Sequence, residues 1–187
     1  MRNKIKAKDL CNVGLFVAIL FISAWISFKL PGGISVTLQT FSIFLACGVL
    51  GLKKGFLCVL AYLVLGLFGI PAFSDFSGGP SKFMTPSGGY LIGFLFSSLA
   101  AGGFSDASKS FPKKLRVHWL IYGYILGILI CYLFGTAWFV IYYRQAHRYL
   151  TIGSALLLCV VPYILPDLVK IFFAATLTVK LERFFKL

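Results

Sequence analysis

Asp167 and Lys170 follow Pro166 in the last long apolar stretch of the chain, three residues apart. On a helix that spacing puts both side chains on one face, where the two charges neutralise one another. An ionisable residue at membrane depth costs at least about 2.5–3.5 kcal/mol to insert, so such a pair marks a functional site by default. Its chemistry is one acceptor and one cationic donor offered to a polar ligand. Pro162 and Pro166 free backbone carbonyls at the same level, which is tolerated where the backbone lines a cavity. The competing reading is an ion pair that only pins helix packing, yet such pairs are seldom retained for stability alone.

Other polar residues stand out against the apolar background. Thr37, Gln39, Thr40 and Ser42 enter the second apolar run, and Gln39 is its only amide. They bridge helices or contact a ligand, and spacing alone does not choose between the two. The connection GIPAFSDFSGGPSKFMTPSGG, from Gly69 to Gly89, is long and rich in Gly, Ser and Pro, with Phe73, Phe76 and Phe83 interleaved. Its aromatics need somewhere to bury, so it is read as a lid over an outward-facing pocket. Gly14 and Ala18 make a small-x-x-x-small face on the first run, fit for close approach of another helix. Cys11, Cys47, Cys58, Cys131 and Cys159 fall in apolar runs without paired spacing and are read as packing residues rather than a metal or disulfide framework. His118 and His147 fall in different loops on opposite sides, so no metal site is expected.

The elements that position these residues follow from composition. Of 187 residues 59% are apolar and 12% charged, and mean hydropathy is +0.93. A soluble domain has about 25% charged residues and cannot hide this apolar excess in one core. Six apolar runs, at about 10–28, 36–52, 55–70, 88–104, 117–143 and 150–180, lie between charged or Gly/Pro-rich breaks. The expectation is an all-α integral membrane protein, a single membrane domain over 1–187 with six transmembrane helices. The second and third runs, split by Lys53, Lys54 and Gly55, form a hairpin. The fifth is long enough to tilt, and the sixth is kinked or broken at its prolines. No G-x-x-x-x-G-K-[ST] phosphate loop exists in the chain, so a partner must supply energy for any driven process.

The formal net charge of +13 sorts by loop. Arg2, Lys4, Lys6, Lys8, Lys53, Lys54, Lys109, Lys113, Lys114, Arg116, Lys180, Arg183 and Lys186 fall on one side. Lys29, Lys82, Arg144 and Arg148 fall on the other, and Lys170 lies within the sixth run. Positive charge stays in the cytoplasm, so both termini are cytoplasmic, the Gly69–Gly89 connection between helices 3 and 4 caps the outer side, and the basic excess needs no nucleic acid. Trp25, Trp119, Trp138, Tyr142, Tyr143 and Tyr149 near the run ends are read as headgroup anchors. A basic start before an apolar run also outlines a signal peptide, but the run has span length and the charge pattern needs it.

Four segments, ISVTLQTFSIFLACGVLGLKKGF, GLFGIPAF, TPSGGYLIGF and PDLVK, resemble in order and spacing the BioY family of biotin-binding S components of energy-coupling factor (ECF) transporters. The likeness is most specific over 34–94, with a second anchor at 166–175. The family's Thr-Leu-Gln-Thr resembles Thr37 to Thr40, and its Gly-Pro-Thr/Ser-Gly-Gly-Tyr resembles Thr85 to Tyr90 with Thr85 for the first Gly. Its Pro-Gly-Asp-x-x-Lys resembles Pro166, Asp167 and Lys170 without the intervening Gly. Ser74-Asp75 replaces a small pair, and Lys82-Phe83 is bulkier than usual.

The resemblance implies a bacterial inner-membrane subunit that captures biotin with high affinity. It also implies association with a transmembrane coupling protein, the T component, and two cytoplasmic ATPases. Gly14 and Ala18 look like the coupling surface, as Gly-x-x-x-Ala in place of the usual Ala-x-x-x-Ala. No cofactor or catalysis is expected, and biotin is the transported substrate. Its ureido ring carries two N–H donors and one carbonyl, beside an apolar thiophane and an anionic valerate. The expected binding residues are Asp167 for the ureido N–H groups and Lys170 for the ureido oxygen or the carboxylate. Gln39, Ser87, Gly88 and Tyr90 add polar contacts, and Phe73 and Phe83 cover the ring. Alternatives are an S component for thiamine or riboflavin, a solitary biotin facilitator, and an intramembrane enzyme. The last lacks a second membrane carboxylate and any G-x-S-x-G with a membrane histidine.

Overall fold

The computed structural model describes residues 7–29, 34–145 and 151–185. Arg2, Lys4, Lys6, His147, Arg148, Tyr149 and Lys186 lie outside the described residues. Helix α1 (Ala7–Trp25) leads into a short antiparallel pair, β1 (Ser27–Lys29) and β2 (Ser35–Thr37), with Ser27 opposite Thr37. Then come α2 (Gln39–Leu67), a 3-10 turn at Ser74–Phe76, α3 (Pro80–Phe83), α4 (Gly88–Ser108), α5 (Lys113–Gln145), α6 (Ile152–Cys159) and α7 (Val161–Leu181).

Among the described residues, α1, α4 and α5 are each long and apolar enough to cross a membrane, α2 reaches that length only over its two arms together, and α6 with α7, bent by 43°, passes as a pair, so four to five candidate spans stand against the six expected. The expected second and third runs are the two arms of α2. Gly51 leaves helical geometry at φ 80°, ψ −176°, and the chain doubles back there. In a straight helix Gln39 and Tyr62 would stand about 35 Å apart; instead the Gln39 amide donates to the Tyr62 hydroxyl at 2.6 Å. A Cβ at Gly55 would lie 2.7 Å from the Cys47 Cα, so the arms touch backbone to backbone. The reversal falls earlier than Lys53-Lys54-Gly55 predicts, because positive φ at the turn suits glycine and Asp106 of α4 fixes it, its Oδ2 accepting the Leu52 N–H at 3.0 Å. The arms, 39–50 and 52–67, each fall short of the roughly 20 residues of a full span.

The last run bends at Val160, before Pro162, rather than at Pro166, which stays inside α7. Proline in the first turn of α7 loses no hydrogen bond, whereas Val160 has left helical geometry at φ −120°, ψ −55°.

Contacts divide the molecule into two ends. Lys54 pairs with Asp9 at 2.7 Å, Asp106 with Lys109 at 2.7 Å, and Arg116 with Glu182. The start of α1, the Gly51 turn, the α4–α5 connection and the end of α7 therefore share one end, which collects the described basic residues that the charge bias assigns to the cytoplasm. Burial raises the Glu182 carboxyl above its usual range, and Arg116 beside it acts the other way. The β pair and the 68–87 connection lie at the opposite end. Between them Phe16, Leu20, Phe44, Tyr62, Tyr124 and Ile171 belong to one buried core, with the Phe44 and Tyr124 rings stacked at 5.0 Å.

The connection is tied down along its length. Trp25 Nε1 donates to Pro71 O at 2.8 Å, and Trp138 Nε1 to Thr85 O at 3.0 Å. These two tryptophans, expected as headgroup anchors, are used to hold the connection.

Candidate ligand-binding site

A partly open cavity lies beneath the connection, lined by both polar and apolar side chains, as small-molecule sites are. Six parts of the chain converge on it, one of them β2 with Ser35, Val36 and Thr37. Helix α7 supplies Asp167 and Lys170, α5 supplies Tyr132, and the start of α2 supplies Gln39 and Thr40. The connection supplies Phe73, Ser74 and Lys82, and the start of α4 supplies Tyr90, Leu91 and Phe94 after Ser87.

Asp167 is the hub. Its Oδ1 accepts from Lys170 Nζ at 2.9 Å and from Thr40 Oγ1 at 3.2 Å, and its Oδ2 accepts from the Tyr132 hydroxyl at 2.6 Å. A buried carboxylate is tolerable only when paired and hydrogen-bonded, and three helices meet that demand here. The pair is thus both the polar floor of the cavity and a tie between α2, α5 and α7.

Six of the eight expected binding residues line the cavity: Asp167, Lys170, Gln39, Phe73, Ser87 and Tyr90. Gln39 is largely engaged within the protein, since its Oε1 accepts from Thr37 Oγ1 at 2.8 Å while its amide donates to Tyr62. The Tyr62 hydroxyl in turn donates to Ala72 O at 2.8 Å, which couples this wall to the connection. Tyr90 donates to Cys159 O at 3.1 Å and joins α4 to α6.

Phe83 and Gly88 stand behind the wall. The Phe83 ring meets Phe73 edge-on at 5.7 Å, and Gly88 packs so closely under the Phe83 carbonyl that a Cβ would not fit. Phe73, fully buried between Tyr62 and Phe83, is the aromatic that faces the cavity. Phe76 instead stacks on Trp25 at 5.0 Å. Gly14 and Ala18 are exposed on α1, and a Cβ at Gly14 would meet nothing within 4 Å.

Tyr132 and Tyr163 also line the cavity and were not singled out in the sequence. Tyr163 lies four residues before Asp167, on the same face of α7, and that spacing points to it. Tyr132 lies in mid-run rather than at an interface, the position where a tyrosine hydroxyl needs a buried partner.

These features define a class: an all-α membrane protein that encloses a small-molecule cavity between its helices and an outer loop. The chain belongs to the BioY family, whose model matches residues 1–187. It is 38% identical over 179 residues to the "Probable biotin transporter BioY" of Pyrococcus horikoshii, covering 96% of this chain and 97% of that protein. It is 32% identical over 176 residues to the "Biotin transporter BioY" of Thermotoga maritima, covering 94% and 96%. In fold it resembles the crystal structure of the S-component for biotin from an ECF-type ABC transporter, with a TM-score of 0.82 at 24% identity, covering 98% of this chain and 95% of that one.

Proposed function

We propose that this protein is the biotin-capturing S component of an ECF transporter, and that Asp167 and Lys170 carry the recognition. The observation behind it is a buried, hydrogen-bonded carboxylate–ammonium pair at the floor of a membrane cavity, in a chain of the BioY family. The names of its relatives point to the same substrate. Asp167 accepts a ureido N–H, and Lys170 donates to the ureido oxygen or to the carboxylate. Phe73, Leu91 and Phe94 offer apolar surface to the thiophane. Lys82 of the connection lines the same cavity and brings a second cation to it for the valerate.

The protein works in the cell membrane, the inner membrane in a bacterium, with a T component and two ATPases, and the exposed Gly14–Ala18 stripe is its coupling surface. Delivery inward follows when the partners hydrolyse ATP and shift the occupied cavity to a state open to the cytoplasm. Expression in a biotin-auxotrophic host on trace biotin tests the reading. Growth that needs both this chain and the coupling module supports it. Growth from this chain alone identifies a solitary facilitator, and no rescue in either background contradicts biotin uptake.

A further inference from the structure

An ionised carboxylate has about four lone-pair sites, and three of those on Asp167 are already filled. Lys170 and Thr40 both occupy Oδ1, while Oδ2 holds only the Tyr132 hydroxyl. The acceptor site left for a ligand is therefore on Oδ2, and its direction is set by the donor that holds the other lone pair of that atom. That donor is the Tyr132 hydroxyl of α5. Tyr132 lines both the ligand cavity and an apolar crevice between α5 and α7, walled by Leu129, Val160, Ile164 and Leu168. Among the described residues that line the crevice, Asp167 is the other one with a polar side chain. A 2.6 Å hydrogen bond to a charged oxygen in such surroundings is of the strong kind.

We infer that Tyr132 is a positioning residue for ligand selection: by clamping Oδ2 it aims the remaining lone pair of Asp167 into the cavity, so that the site selects ligands able to donate an N–H there. The inference rests on the proposed biotin reading and names the residue that makes the acceptor directional. Without the clamp, the carboxylate is free to turn both oxygens toward Lys170 and loses its preference for a ureido donor.

The test compares biotin with its cyclic carbamate analogue, in which one ureido N–H is replaced by oxygen, in purified wild-type protein and in Tyr132→Phe. Phenylalanine keeps the ring that separates cavity from crevice. Wild type is expected to prefer biotin by about a hundredfold or more, since a site built around a donor leaves its acceptor unpaired without it. Tyr132→Phe is expected to weaken biotin by about 10- to 100-fold and the analogue by under threefold, so the preference collapses. Tyr122→Phe is the companion variant: it removes a tyrosine hydroxyl from the same helix at an exposed position outside the cavity lining, and the preference should stay within twofold of wild type. Equal losses for both ligands in Tyr132→Phe would reduce the residue to a structural role and overturn the inference, as would a collapse in Tyr122→Phe. Wild type that ignores biotin altogether would instead overturn the functional reading beneath it.

Discussion

Lys170 Nζ lies 2.9 Å from Asp167 Oδ1, one turn apart on α7, and the two side chains are only 11% and 7% exposed. The pair has been taken out of water and placed at the floor of the cavity, where each charge is stabilised by the other and by Thr40 and Tyr132. Removing one partner leaves the other charge buried and unpaired, which costs about 3–5 kcal/mol, whereas replacing both by apolar groups is often neutral. Binding and folding can therefore be separated. Asp167→Asn should lower biotin affinity at least about a hundredfold and also lower the melting temperature. The double substitution Asp167→Leu with Lys170→Met should recover much of the thermal stability without recovering binding. Thermal unfolding and ligand titration on the same preparations check both halves.

Phe73 is held over the cavity by what lies behind it. Gly66 of α2 packs against its ring so closely that a Cβ would collide, and Gly66 O also accepts the Gly79 N–H at 2.7 Å. Gly66→Ala should push the ring out of place, at an overpacking cost of about 1–3 kcal/mol. The expected result is roughly tenfold weaker biotin binding that arises mainly from faster dissociation, read by stopped-flow or ligand chase.

The Tyr62 hydroxyl connects both arms of α2 to the connection, accepting from Gln39 and donating to Ala72 O. Tyr62→Phe leaves a buried amide and a buried carbonyl each without a partner. Each unsatisfied group costs about 1–3 kcal/mol, so a clear drop in melting temperature is expected, with a smaller effect on affinity.

Gly14 is exposed and outside the cavity lining, with open space where a side chain would go. Gly14→Leu should leave biotin binding by the isolated protein unchanged and abolish copurification with the coupling protein, because small residues are what allow helices to approach closely in a bilayer. Retained copurification would move the coupling surface elsewhere.

Much of this arrangement is legible in the sequence, for identifiable reasons. Asp167 and Lys170 stand out because charge in an apolar run is expensive, and the grouping of the basic loops at one end of the molecule follows from lysine and arginine. The hairpin within α2 is legible too, but its turn at Gly51 is not, since Lys53-Lys54-Gly55 is the more obvious break and the contact with Asp106 that fixes the turn comes from more than 50 residues away. Phe73 and Phe83 are equivalent by composition. Only packing against Tyr62 and Gly66 decides that Phe73 faces the cavity and Phe83 backs it. Tyr132 is hidden for a related reason. A tyrosine in an apolar run reads as bulk, and its importance lies in the hydroxyl's partner on another helix.

Recognition of biotin by the buried Asp167–Lys170 pair, as proposed, is open to direct measurement. Calorimetric titration of the detergent-purified protein against biotin, thiamine and riboflavin tests it most directly. A one-to-one isotherm is expected with biotin alone, lost in Asp167→Asn. Binding of thiamine or riboflavin in place of biotin, or undiminished biotin binding by Asp167→Asn, would contradict it.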